Sequence, residues 1–219
     1  MANELVEAVK SSDRTKLEAI LAANAALAAS VDDNGVPAIL VALYYGRRDL
    51  AELLASKTPT MSMHEAAALG DLQTIRALGR WPDTLASYSP DGWTPLHLAA
   101  AFANAETAGI LLELGADPNQ RSRNPLDNTP LHACAAISHS APIAQLLLDH
   151  GAEVNAKQAG GFTALHSAAF NGSTGLVRLL VERGADASLT TDDGQTAEAL
   201  AREKGHEAIV QLLASRAPA

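Results

Sequence analysis

Three histidines, His97, His132 and His166, and one cysteine, Cys134, are the side chains of this chain best suited to metal binding or nucleophilic chemistry. The histidines recur at steps of 35 and 34 residues, from 97 to 132 and from 132 to 166. Packed helices sit roughly 8–10 Å apart, so one ion cannot bridge imidazoles carried one per helix. The spacing instead predicts rings that hydrogen-bond to backbone in a neighbouring turn. Cys134 is alone, which excludes an intramolecular disulfide and a multi-cysteine zinc site. It occupies a place that other copies of the repeat fill with Ala66, Ala99 and Ala168, and reads as a buried, inert thiol. No phosphate-cradling glycine loop, G-x-S-x-G elbow or H-E-x-x-H pair accompanies these residues. No catalytic constellation emerges, and neither an enzyme nor a cofactor nor a metal is expected.

The elements that hold the histidines repeat with them. Thr94-Pro95-Leu96-His97, Thr129-Pro130-Leu131-His132 and Thr163-Ala164-Leu165-His166 align, with weaker copies at Thr196, Met61, Pro37 and Asn3. Units therefore start near 3, 37, 61, 94, 129, 163 and 196, seven in all over residues 1–219. Each reads as a short, small-residue helix such as 95–101, followed by a second helix such as 105–113 with large apolar residues at helical spacing. Gly115-Ala116-Asp117, Gly151-Ala152-Glu153 and Gly184-Ala185-Asp186 stop the second helices. Asp91-Gly92 and Asp193-Gly194 mark tight turns ahead of the next threonine, whose hydroxyl can cap the coming helix.

A period of about 33 residues with T-P-L-H-x-A, two helices and a β-turn resembles the ankyrin repeat. The resemblance covers essentially the whole chain and implies an all-α solenoid with projecting β-turns. At the last unit, Thr196-Ala197-Glu198-Ala199 puts a charge where the others carry a core leucine, which reads as a C-terminal cap. Polar Asn3, Glu4 and Glu7 read as an N-terminal cap. Met63 to Asp71 and Ser89 to His97 are similar in phrasing to stand-alone bacterial ankyrin proteins, which points to a bacterial source.

The formal net charge of −9 disfavours nucleic acid and anionic lipid, both of which demand clustered Lys and Arg. No apolar run approaches the ~20 residues needed to cross a bilayer. The first ten residues, with Glu4 and Glu7, do not look like a signal peptide, so a cytoplasmic location is expected.

In ankyrin proteins the stacked first helices and the turns form a concave groove. The resemblance places contacts at the residue before the threonine, the seventh and eighth after it, and the turn tip six before it. Those positions hold Val36, Tyr44 and Tyr45; Tyr88, Trp93, Ala101 and Phe102; Asn128, Ala136 and Ile137; and Phe162, Phe170 and Asn171. The chain has two Trp, three Tyr and three Phe, and every one except Trp81 falls on these positions. Tyr44, Tyr45, Tyr88, Trp93, Phe102, Ile137, Phe162 and Phe170 are therefore the expected partner-binding residues. The reading is a scaffold for a protein or peptide, with acidic rim residues favouring a basic ligand. Two alternatives stay open: a homo-oligomer built on the same face, with the chain otherwise a monomer, and a regulatory or inhibitory subunit of an enzyme.

The steps of the repeat are uneven. From 37 to 61 is only 24 residues, which leaves no length for a turn after Ala55 and predicts a missing finger and a notch beside Tyr44 and Tyr45. From 94 to 129 is long, and Arg121 to Leu126 reads as a basic, protruding turn suited to an acidic contact.

Overall fold

The computed structural model describes residues 2–102, 104–137 and 141–214; Met1 and the last five residues of the expected domain lie outside them. In chain order the helices are α1 (Ala2–Lys10), α2 (Arg14–Ala23), α3 (Ala38–Tyr44), α4 (Arg48–Ala55), α5 (Met63–Leu69), α6 (Leu72–Leu78), the single turn α7 (Pro82–Leu85), α8 (Pro95–Ala101), α9 (Ala105–Glu113), α10 (Pro130–Ala135), α11 (Ala141–Asp149), α12 (Ala164–Phe170), α13 (Thr174–Glu182), α14 (Ala197–Glu203) and α15 (Glu207–Ala214). Among the described residues there is no strand, and isolated bridges join only Val31 to Pro37 and Thr190 to Thr196. The fold is an all-α repeat solenoid.

Two layers follow from two kinds of helix. The first helices, α1, α3, α5, α8, α10, α12 and α14, pack side by side. They are short and alanine-rich because a neighbour presses on both flanks: Ala66, Ala99, Cys134 and Ala168 are fully buried at the same place in successive helices. A methylene added there meets packed atoms rather than space. The second helices are amphipathic, with Leu111, Leu147 and Leu180 buried on α9, α11 and α13.

Threonine hydroxyls start the first helices as expected. Thr94 accepts from the His97 amide at 3.3 Å and Thr196 from Ala199 at 3.2 Å, and prolines occupy the first helical position of α8 and α10. One start shifts. The cap of α5 is Ser62 and not Met61, because methionine offers no acceptor. Ser62 Oγ accepts from the Glu65 amide at 3.3 Å, and the Glu65 carboxylate accepts from the Ser62 amide at 2.8 Å.

Between successive helix pairs the chain turns out as a finger, closed by one backbone bond. Asp32, Ser89, Ser122, Gln158 and Thr191 donate to the carbonyls of Val36, Trp93, Asn128, Phe162 and Gln195 at 2.8–2.9 Å. From the second finger on, each ties to the next: Arg123 N donates to Gly92 O at 2.8 Å, Ala159 N to Leu126 O at 2.9 Å and Asp192 N to Gly160 O at 2.9 Å. Gly92 and Gly161 sit at φ 84° and 74°, and a Cβ on either would lie 2.7–2.8 Å from backbone of the following finger. Glycine there meets two demands at once, a left-handed turn and a close approach.

The short step between α4 and α5 has no finger, as its length predicts. The expected notch is closed, however. Gly35 of the first finger lies against the Pro90 ring of the next one, and Tyr44 Oη donates to Asp91 Oδ2 at 2.5 Å across the gap. The turn from Arg121 to Leu126 also uses its own cations. Arg121 pairs with Asp127 at 2.9 Å and donates to Lys157 O at 2.6 Å, and the Arg123 guanidinium sits 4.1 Å over the Tyr88 ring.

Candidate interaction face

The histidines settle into one repeated arrangement. Nε2 of His97 donates to Asn128 O at 3.0 Å, that of His132 to Phe162 O at 3.2 Å, and that of His166 to Leu189 O and Gln195 O at 3.1 and 3.2 Å. A carbonyl can only accept, so the proton is on Nε2, and Nδ1 is left to accept from the hydroxyls of Thr94, Thr129 and Thr163 at 2.7–2.9 Å. Burial pushes His97 and His132 down to about 4, against the weaker opposing pull of the carbonyls, and lowers His64 and His166 in the same sense. These are neutral rings that tie each first helix to the following finger. No group of three or more His, Cys, Asp or Glu among the described residues could hold a metal ion.

The residues expected to make contacts lie at the C-terminal ends of the first helices and in the fingers. Tyr44 and Tyr45 end α3 and are 42% and 54% exposed; Phe170 ends α12 and is 41% exposed. Phe102 at the end of α8 is half-buried and stacks on Tyr44 with centroids 5.9 Å apart, and Ile137 follows α10, half-buried. Lys204 of α14 lies 4.5 Å over the Phe170 ring. Tyr88, at the base of its finger, donates to Arg121 O at 3.0 Å.

The position before the threonine behaves differently from expectation. Val36 and Asn128 are buried there, each with its carbonyl accepting the closing bond of its finger. Trp93 and Phe162 are half-buried at the same place and cover histidines, Trp93 at 5.4 Å from the His97 ring and Phe162 edge-on at 5.9 Å from His166. Both withhold water from the rings they cover. Trp81, the most exposed aromatic at 67%, stands apart from this face, capping the single turn α7.

Sequence reasoning missed three partners. Lys204 over Phe170 lies 34 residues on and Arg123 over Tyr88 35 residues on, one repeat step in each case, so the register already held the signal. Asp91 lies 47 residues from Tyr44, a reach that exists only because a finger is absent.

A family described as ankyrin repeats, three copies, matches residues 63–158 and 131–218, which together span well over half of the chain. The chain belongs to the ankyrin repeat family. Repeats of this family mediate protein–protein contacts. Similar proteins include the E3 ubiquitin-protein ligase XBAT33 of Arabidopsis thaliana, 40% identical over 109 residues, covering 49% of this chain and 21% of the ligase. Neurogenic locus notch homolog protein 4 of Homo sapiens is 35% identical over 126 residues, covering 51% of this chain and 6% of the human protein. Alpha-latrotoxin-Lg1a of Latrodectus geometricus is 32% identical over 111 residues, covering 50% of this chain and 8% of the toxin. The chain thus corresponds to about a fifth or less of each. These relatives are eukaryotic and lend no support to the bacterial source expected from the phrasing of the repeats. No helix among the described residues is long and apolar enough to cross a membrane.

Proposed function

We propose that this ankyrin repeat protein is a binding scaffold that holds a protein or peptide partner against Tyr44, Tyr45, Tyr88, Trp93, Phe102, Ile137, Phe162 and Phe170. The observation that supports this reading most is the exposure of Tyr44, Tyr45 and Phe170 at equivalent helix ends, in a protein whose buried apolar side chains, among the described residues, include no Phe, Tyr or Trp. Aromatic side chains supply large contact area with few torsions to freeze, and binding energy concentrates on them. Exposed carboxylates at the finger tips, Asp33, Asp192 and Asp193, and the net charge of −9 favour a basic partner. The reading includes one domain of seven units over residues 1–219, no catalysis by this chain, and a cytoplasmic location.

The test is retention of a partner from lysate by the tagged protein, with a Tyr45→Ala, Phe170→Ala double variant beside it. Both side chains are exposed, so the variant keeps its core. A protein held by the wild type and lost by at least about tenfold in the variant is expected, since hot-spot truncations cost about 2 kcal/mol or more. Equal retention would move the site to the second-helix side. Retention of further copies of this chain, with concentration-dependent sedimentation, would favour the homo-oligomer.

A further inference from the structure

The place where α3 and α4 meet α5 and α6 differs from the later junctions in its core and in its backbone ties. The hydrophobic core divides there: one buried cluster runs from Leu5 to Leu54 and takes Ala68 and Leu98 from beyond, with half-buried Met61, Leu69, Trp93 and Phe102 packed against it, while the other runs from Met63 to Leu213. The backbone tie between fingers is also missing. Three later finger pairs are joined by an amide-to-carbonyl bond, whereas among the described residues no backbone bond joins the finger at 30–37 to that at 88–94. On the opposite side, an open cleft lined by Thr58 to Met61 and by Asp71, Gln73, Thr74, Ala77 and Leu78 separates the connecting segment from α6.

What crosses this junction is mainly side chain. Tyr44 Oη reaches Asp91, whose other carboxylate oxygen is held by the Ser89 hydroxyl at 2.6 Å. Arg48 donates to Leu69 O at 2.7 Å. The Tyr44 ring stacks on Phe102, Gly35 touches Pro90 at ordinary contact distance, and Trp93 packs against both core clusters. We propose that this junction is a hinge between residues 2–55 and 63–214, and that the Tyr44–Asp91 hydrogen bond is the latch that holds it closed.

The geometry gives the latch its character. A backbone tie between fingers resists any opening that separates their main chains, while one phenol–carboxylate bond breaks without unfolding either side. Burial beside Asp91 raises the Tyr44 pKa, so the hydroxyl keeps its proton and stays a donor at neutral pH. Opening separates the two aromatic ends of the face, Tyr45 on one body and Phe170 on the other. The spacing between them is then adjustable, in a solenoid whose remaining fingers are tied.

The experiment is a spin-label distance measurement on the full chain carrying Cys134→Ala, an exchange to the residue other copies use. One label pair, Asp33→Cys with Asp193→Cys, spans the hinge; a control pair, Asp117→Cys with Asp193→Cys, does not. Tyr44→Phe keeps the ring and its stack on Phe102 and removes only the hydroxyl. Loss of a hydrogen bond to a charged group multiplies the open population by about tenfold or more. The spanning pair is expected to gain a second, displaced distance population in Tyr44→Phe while the control pair stays unchanged. An unchanged spanning distribution would overturn the proposal, and so would equal broadening of both pairs, which marks general loosening rather than a hinge.

Discussion

Acidification from pH 7 to pH 4 is expected to destabilise the fold by several kcal/mol through His97 and His132 alone. Both stand at about 4 in the folded protein, and the ordinary value is 6.5. Because the folded values are depressed, the unfolded chain takes up protons first. Stability is therefore fully present above about pH 6.5 and falls as pH drops toward 4. The difference corresponds to roughly 3 kcal/mol for each ring. Asp49, Asp127 and Asp186 are depressed below the ordinary carboxylate value by Arg47, by Arg121 and by Ser188 respectively, and their contribution falls away only below about pH 4. The two windows are thus separable. Urea unfolding at pH 7, 6, 5 and 4 reads the slope, and His132→Gln, which can still donate to Phe162 O, is expected to flatten it by one proton. A wild-type stability that holds level from pH 6.5 to 4 would contradict the assignment of both rings as buried and neutral.

The second large effect lies in the fingers. Gly92→Ala and Gly161→Ala are each expected to cost about 2–4 kcal/mol, from left-handed backbone strain together with overpacking against the next finger. Gly194 is the internal control. It has the same turn, at φ 76°, but nothing lies within 4 Å of a Cβ built on it. Gly194→Ala should cost only about 1–2 kcal/mol, the strain alone. Thermal or urea denaturation of the three variants separates the terms. Equal losses at all three sites would show that the contact between fingers contributes nothing and that turn conformation accounts for the whole cost.

The framework was legible because every part of it recurs. Threonine cap, proline at the first turn, histidine on the inner side and glycine after the second helix each serve one local requirement, so a single sequence shows each of them two to four times over. The missing finger was legible by length alone. Its consequence was not: nothing near Tyr44 in the chain marks Asp91 as its partner, and two fingers closing a gap is a property of their final packing. The same holds for the position before the threonine. Its register is plain, but the register does not distinguish Val36 and Asn128, which are buried, from Trp93 and Phe162, which shield histidines under the same closing bond. The aromatic residues form a periodic set in the sequence, and only the folded packing divides them into core-covering and outward-facing members.

The central claim, that partners bind the aromatic side of the first-helix layer, is tested most directly by photocrosslinking. A photoreactive phenylalanine analogue placed singly at Tyr45, Phe170 or Trp81 samples both ends of the proposed face and one more exposed aromatic site away from it. Crosslinked partner at positions 45 and 170, with little at 81, is the predicted result; crosslinking confined to position 81 would place binding off this face and contradict the account.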